Sequence, residues 1–152
     1  MAITKKTIMD EGIKAKIDNY YAPNTIALLI DDQPGDLTGE SSIAEVVAKE
    51  LPEGNGYERK QVSLSSAFIE NNGSSKKARA DSLQMLFTAQ GGNIPVFSHI
   101  CFIVGGSLII GDTSGVIDRI EPSNSGEPIG LNNGRSYRHS FIQRESGNYI
   151  TS

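Results

Sequence analysis

The chain has 152 residues, a formal net charge of −4, one cysteine and no tryptophan, and 38% of its residues are hydrophobic. That length suits one domain, 1–152, with a core of useful size. The balance excludes a basic surface for nucleic acid, an internal disulfide and a multi-cysteine zinc site.

Residues 4–18 predict a short amphipathic helix, because Met9, Ile13 and Ile17 fall four apart on one face. Thr4 and Thr7 are its candidate caps, and Pro23 disfavours helix at Ala22. The start has no continuous apolar h-region of a secretory signal, and no run is long enough to span a membrane. The expectation is a soluble protein made in a cytoplasm, with no membrane partner.

Residues 25–31, TIALLID, read as a buried strand. DDQPGDLTGES is a loop in which Asp31, Asp32, Asp36 and Glu40 crowd four carboxylates together. Their spacing misses the alternating oxygens and sixth-position glycine of an EF-hand, so a solvated acidic loop is expected, with ion binding by Asp31, Asp32 and Asp36 left open. The composition of residues 42–51 favours a helix. PEGNG is a turn, and ERKQVSLS puts Val62 and Leu64 on one face of a strand. FIENNGSSKKARAD reads as a polar loop, and SLQMLFTA aligns Leu83, Met85 and Phe87 at period two.

Residues 96–106, VFSHICFIVGG, are the strongest strand and are expected at the centre of a sheet. SLIIGDT and VIDRIEP follow as further strands, then a long loop over 121–136. SYRHSFIQ closes the chain's strands, with Tyr137, His139 and Phe141 on one face. Short strands with turn signals at this spacing predict a mainly β fold: an antiparallel β-sandwich, or a barrel-like form of it, behind the short N-terminal helix.

Chemistry is sparse. His99 and Cys101 share one strand face and project in parallel, whereas a nucleophile and its base converge from different segments, so both read as core. GGSLIIGD lacks the Lys-Ser/Thr pair and the following helix of a phosphate loop. No catalytic residue, metal or cofactor is expected. Tyr57 and Arg59 stand two apart, each with area and a directional polar tip, and so are candidate partner-binding residues together with Met9, Ile13 and Ile17. The local alternative packs Tyr57 over its turn and pairs Arg59 with Glu50 or the neighbours of Glu58.

The stretch NGYERKQVSLS, with Gly56, Tyr57, Arg59 and Val62, resembles the Gly-Tyr-x-Arg strand of small tailed-bacteriophage structural proteins of the tail-fibre-like kind. The order of the remaining segments is similar as well: an N-terminal helix, IALLIDDQPGD, Glu45 or Glu50, LQMLFTA, FSHICFIVGGSLIIGD and a closing strand. Leu28, Leu29 and Ile30 stand where that family commonly has a glycine, the tryptophan before the Gly-Gly strand is absent, and the tail is longer.

The resemblance implies a non-enzymatic virion protein of the neck, tail, baseplate or fibre. Its partners would be other virion proteins and further copies of itself in a symmetric assembly. A capsid decoration (cement) protein is the alternative. A small-molecule or glycan-binding β-barrel is a second one, disfavoured because sugar sites usually present aromatic platforms and the chain has no Trp and few Tyr.

Overall fold

The structure is a computed structural model describing residues 9–31, 35, 37–72, 75–82 and 84–148. The candidate caps Thr4 and Thr7, the loop carboxylates Asp32 and Asp36, and Leu83 lie outside the described residues. Helix α1 (Asp10–Lys16) runs into a π-helical turn, Ile17–Tyr21, and strand β1 is Thr25–Asp31. Helix α2 (Ile43–Val47) precedes β2 (Lys60–Gln61), β3 (Phe68–Asn72), β4 (Ser75–Asp81) and β5 (Met85–Thr88). Then come β6 (Ile94–Val104), β7 (Val116–Pro122), a 3-10 turn (Asn124–Gly126), β8 (Ile129–Leu131), β9 (Ser136–His139) and β10 (Ile142–Asn148). The protein is mainly β, every described strand pairing is antiparallel, and among the described residues no sheet closes into a barrel.

The chain divides into two compact units. The first comprises Met1–Pro23, Ser63–Leu83 and Ser140–Ser152. Its sheet has the order β10-β4-β3. Ile13 and Ile17 are buried against Ala78 and Ala80 of β4, with Tyr21, Leu64, Ala67 and Ile69 around them. The short alanine side chains let α1 and its π turn approach the sheet closely. Asp10 and Glu11 open α1 and Lys14 and Lys16 close it, each matching the helix dipole. The hairpin β3–β4 replaces the polar loop expected over these residues. Its apolar contribution on β4 is two alanines alternating with charge, too small a signal to stand out from a loop.

The second unit comprises Asn24–Val62 and Gln84–His139. Its five-stranded sheet runs β2-β1-β6-β7, with β8 also on β6. Strand β1 is buried from Thr25 to Ile30, so both its faces are covered. On one face Ile26, Leu28 and Ile30 join Cys101, Ile103, Val46 and Val47 in a single cluster under α2. Helix α2 starts in a capping box: the Glu45 amide donates to Ser42 Oγ at 3.2 Å and the Ser42 amide to Glu45 Oε1 at 3.2 Å. On the other face lies the β5–β9 ribbon, with Phe97 edge-on to Tyr137 at 5.5 Å, His139 tilted on Phe102 at 5.9 Å and Phe87 stacked near Tyr57 at 6.4 Å.

Three expected strands are corrected. ERKQVSLS is a strand only at β2, and Val62 and Leu64 fall in different units. SLIIGDT forms no strand; Leu108 and Ile109 lie exposed in a loop between β6 and β7. The closing strand is two strands: β9 ends at His139, and Phe141 is buried in the first unit.

Candidate functional site

The turn after α2 determines where Glu50 goes. Glu50 bridges to Ile30, and the Leu51 amide donates to the Leu29 carbonyl at 3.1 Å, so this segment extends beside β1. The chain then reverses through Gly54, Asn55 and Gly56, all at positive φ. Gly56 is required twice over: its φ is +87°, and a Cβ there would sit 2.5 Å from the Thr88 carbonyl oxygen. The reversal brings Tyr57 and Arg59 back onto Glu50.

The three side chains form one buried network. Arg59 Nε donates to Glu50 Oε2 at 2.9 Å and Arg59 Nη2 to Glu50 Oε1 at 2.8 Å, a bidentate pair. The two side chains are 0% and 2% exposed. The Tyr57 hydroxyl donates to Glu50 Oε2 at 2.6 Å and accepts the Leu29 amide at 3.1 Å. Burial, then the Glu50 charge, pushes the Tyr57 hydroxyl well above its ordinary pKa. Burial opposes the charge on Arg59, and the hydrogen bonds and charge of Glu50 outweigh it and raise the guanidinium.

The remaining valences hold a loop. Arg59 Nη1 donates to the Ser107 carbonyl at 3.1 Å, Nη2 to the Asp112 carbonyl at 2.9 Å, and the Gly111 amide to Glu50 Oε1 at 3.0 Å. Within the loop, Ser107 Oγ donates to Asp112 Oδ2 at 2.5 Å and Ser114 Oγ to Asp112 Oδ1 at 3.0 Å. These bonds hold the Asp112 carboxyl below the usual carboxylate range. The loop closes over Gly115, where a Cβ would meet Gly106 N and the Val104 carbonyl, both at 2.7 Å. At its tip Leu108 and Ile109 are 53% and 71% exposed, and Val116, just beyond it, is 61% exposed.

On the α2 face of the sheet a groove of about 750 Å³ runs beside β7. Leu37, Ile43, Val46, Ile117 and Ile120 supply its apolar lining, and His99 sits at one point along it. Ser98 Oγ donates its only proton to the Asp31 carbonyl at 3.0 Å. The 2.7 Å contact from His99 Nδ1 to Ser98 Oγ is therefore donated by the ring, which sets the Nδ1–H tautomer. His99 is thus half-buried at a groove rather than in the core, correcting one expectation. Cys101 is fully buried, and burial pushes its thiol from 9.0 to about 12, leaving no reactive thiolate.

A third constellation joins Glu121, His139 and Tyr137. His139 Nε2 meets Glu121 Oε1 at 2.5 Å, and the Tyr137 hydroxyl meets His139 Nδ1 at 2.7 Å while accepting the Asn124 amide at 3.0 Å. Burial raises the Tyr137 hydroxyl, so this chain of bonds does not supply a phenolate.

Of the five candidate partner-binding residues, only Met9 is on the surface, at the N-cap of α1, and it does not share the buried stripe. Ile13 and Ile17 are spent on the core of the first unit, and Tyr57 and Arg59 on Glu50. Their docking role is corrected accordingly, since a side chain satisfied inside its own unit offers a partner neither area nor free polar atoms. The Glu50–Arg59 pairing was the local alternative. The exposed tip at Leu108 and Ile109 was missed because its apolar residues imitate a strand. Among the described residues no three His, Cys, Asp or Glu side chains converge to hold a metal ion. No described helix is long and apolar enough to cross a membrane. No protein-family model matches the chain, and neither the curated proteins nor the solved structures contain a significant match to it.

Proposed function

We propose that this chain is a non-enzymatic structural component of a bacteriophage particle, in the neck, tail, baseplate or fibre, acting through protein–protein assembly. The observation that carries the assembly role is the 107–112 loop. A bidentate, desolvated ion pair is expensive to build, and here both members also bind the backbone of a loop that presents two aliphatic side chains to the outside. Preorganising a loop in this way lowers the entropy lost when a partner closes on it. The bacteriophage setting rests on the sequence resemblance through Gly56, Tyr57, Arg59 and Val62 and on the order of the other segments.

The test is the copy number of this protein in purified particles, by quantitative mass spectrometry against the major shell protein. A few copies per hundred shell proteins is the expected result. A ratio approaching one would make it a decoration protein instead. Absence from the particles would overturn the virion role.

A further inference from the structure

We infer that Glu121, His139, Tyr137 and Ser123 form a proton relay: when the His139 ring takes up a second proton, the Tyr137 hydroxyl turns its own proton from His139 to Ser123. The relay lies within the second unit and does not depend on the assembly role.

The bonds of the neutral state fix each donor. A carboxylate only accepts, so the 2.5 Å contact between His139 Nε2 and Glu121 Oε1 places the ring proton on Nε2. Nδ1 is then an acceptor, and the Tyr137 hydroxyl donates to it at 2.7 Å. The Tyr137 oxygen accepts the Asn124 amide at 3.0 Å. A second ring proton can therefore enter only at Nδ1, where it meets a hydroxyl that is itself donating. The contact survives if Tyr137 becomes the acceptor, and the phenolic proton then needs a new seat. Tyr137 does not lose that proton, because burial raises its hydroxyl. One proton comes from solvent, the ring gains its charge, and no other covalent bond changes.

Ser123 supplies the seat. Its amide donates to the Ser98 carbonyl at 3.0 Å, which continues the β6–β7 pairing one rung past Pro122. Its side chain therefore shares a face of β7 with Glu121, two residues earlier. It also directly precedes Asn124, whose amide is bonded to Tyr137. Ser123 Oγ is fully buried and is the one buried side-chain polar atom without a hydrogen-bond partner among the described residues. A buried hydroxyl is seldom left so without a reason. Ser98 Oγ, on the same rung, is already committed to the Asp31 carbonyl and to His99. Ser123 stands at the N-cap of the 3-10 turn without making a cap bond, so a change of its rotamer breaks nothing and re-aims Oγ.

The surroundings suit a cation at His139. Its side chain is 10% exposed and that of Glu121 31%, so the new charge sits against a carboxylate at the edge of solvent. The same face of β7 carries Arg119, whose Nε donates to Asp118 Oδ2 at 2.8 Å. The other neighbours are apolar: Phe102 of β6 under the ring and Met85 of β5 opposite it. Glu127, beyond the turn, is exposed. The relay reaches the surface through Asn124, Ser125 and Gly126, which are exposed and have successive φ values of 44°, 56° and 88°. Two of these are non-glycine residues in the left-handed region, where backbone strain is held by the surroundings. The Asn124–Tyr137 bond ties that turn to β9, so proton uptake at His139 acts on an exposed, strained turn.

The experiment is NMR of the full chain from about pH 8 to about pH 5, which spans the ordinary titration range of histidine. The Ser123 Cβ shift should move together with the His139 ring nitrogens in the wild type and stay still in Tyr137→Phe. In parallel, Ser123→Ala and the wild type are unfolded in urea at both ends of the range. At the upper end alanine removes an unpaired oxygen, so its midpoint should equal or exceed that of the wild type. At about pH 5 the Tyr137 proton is left without an acceptor, and the midpoint should fall below the wild type by about 0.5 M urea or more. A merely structural serine would give the same difference at both ends. A His139 ring that stays neutral to the lower end, a Ser123 signal that does not follow it, or a Ser123→Ala difference indifferent to pH would each overturn the relay. If Tyr137→Phe does not fold, the Ser123→Ala comparison decides alone.

Discussion

Glu50 and Arg59, nine residues apart in sequence, form a bidentate ion pair that is closed to solvent. Removing one partner strands a buried charge, whereas removing both removes the mismatch. Arg59→Leu should therefore cost about 3–5 kcal/mol, and the Glu50→Leu/Arg59→Leu double variant less than the sum of the two single changes. Urea unfolding of the four proteins in the cycle measures this. Additive costs would show that the two side chains act independently.

Tyr57 is the neutral member of the same network. Tyr57→Phe deletes the acceptor of the Leu29 amide and a donor to Glu50, so a loss of about 1–3 kcal/mol is expected. Wild-type stability should also fall in alkali. Tyr57 and Cys101 both have folded-state values above their ordinary ones, so their contribution is complete below those ordinary values. For Cys101 it is lost as pH rises from 9.0 toward about 12. Urea midpoints at about pH 8 and about pH 11 should differ, with the alkaline one lower. Equal midpoints would mean that both groups ionise alike in the folded and unfolded chains.

The helix in the first unit separates core from surface within one sequence stripe. Ile17→Ala removes a fully buried side chain from its contact with Ala78 and Ala80 and should cost about 2–5 kcal/mol. Met9→Ala, on an exposed residue, should stay within about 0.5 kcal/mol of the wild type. Thermal or urea denaturation reads both. A large loss at Met9 would show that the stripe continues to that residue.

The two histidines should occupy opposite tautomers when neutral. His99 carries its proton on Nδ1, since the Ser98 hydroxyl is committed to a carbonyl. His139 carries it on Nε2, facing Glu121, while Nδ1 accepts from Tyr137. Nitrogen-15 chemical shifts of the rings distinguish the forms. The same tautomer at both would disprove one of the two networks.

Where hydrophobic patterning was dense, the sequence alone determined the local result. TIALLID is a strand with the expected bounds, Thr25–Asp31, the run around VFSHICFIV is the central strand β6, and Ser42 with Glu45 starts a helix within 42–51. These segments carry their own signal because period and composition are local properties. Tertiary structure decided the rest. The β3–β4 hairpin depends on a helix covering two alanines, and SLIIGDT becomes a loop because its backbone is captured by a distant ion pair. Glu50, Tyr57 and Arg59 are ordinary surface-type residues in a list. What buries them is the reversal at Gly54–Gly56 against β1 and β5, a contact between segments far apart in sequence that no local window contains.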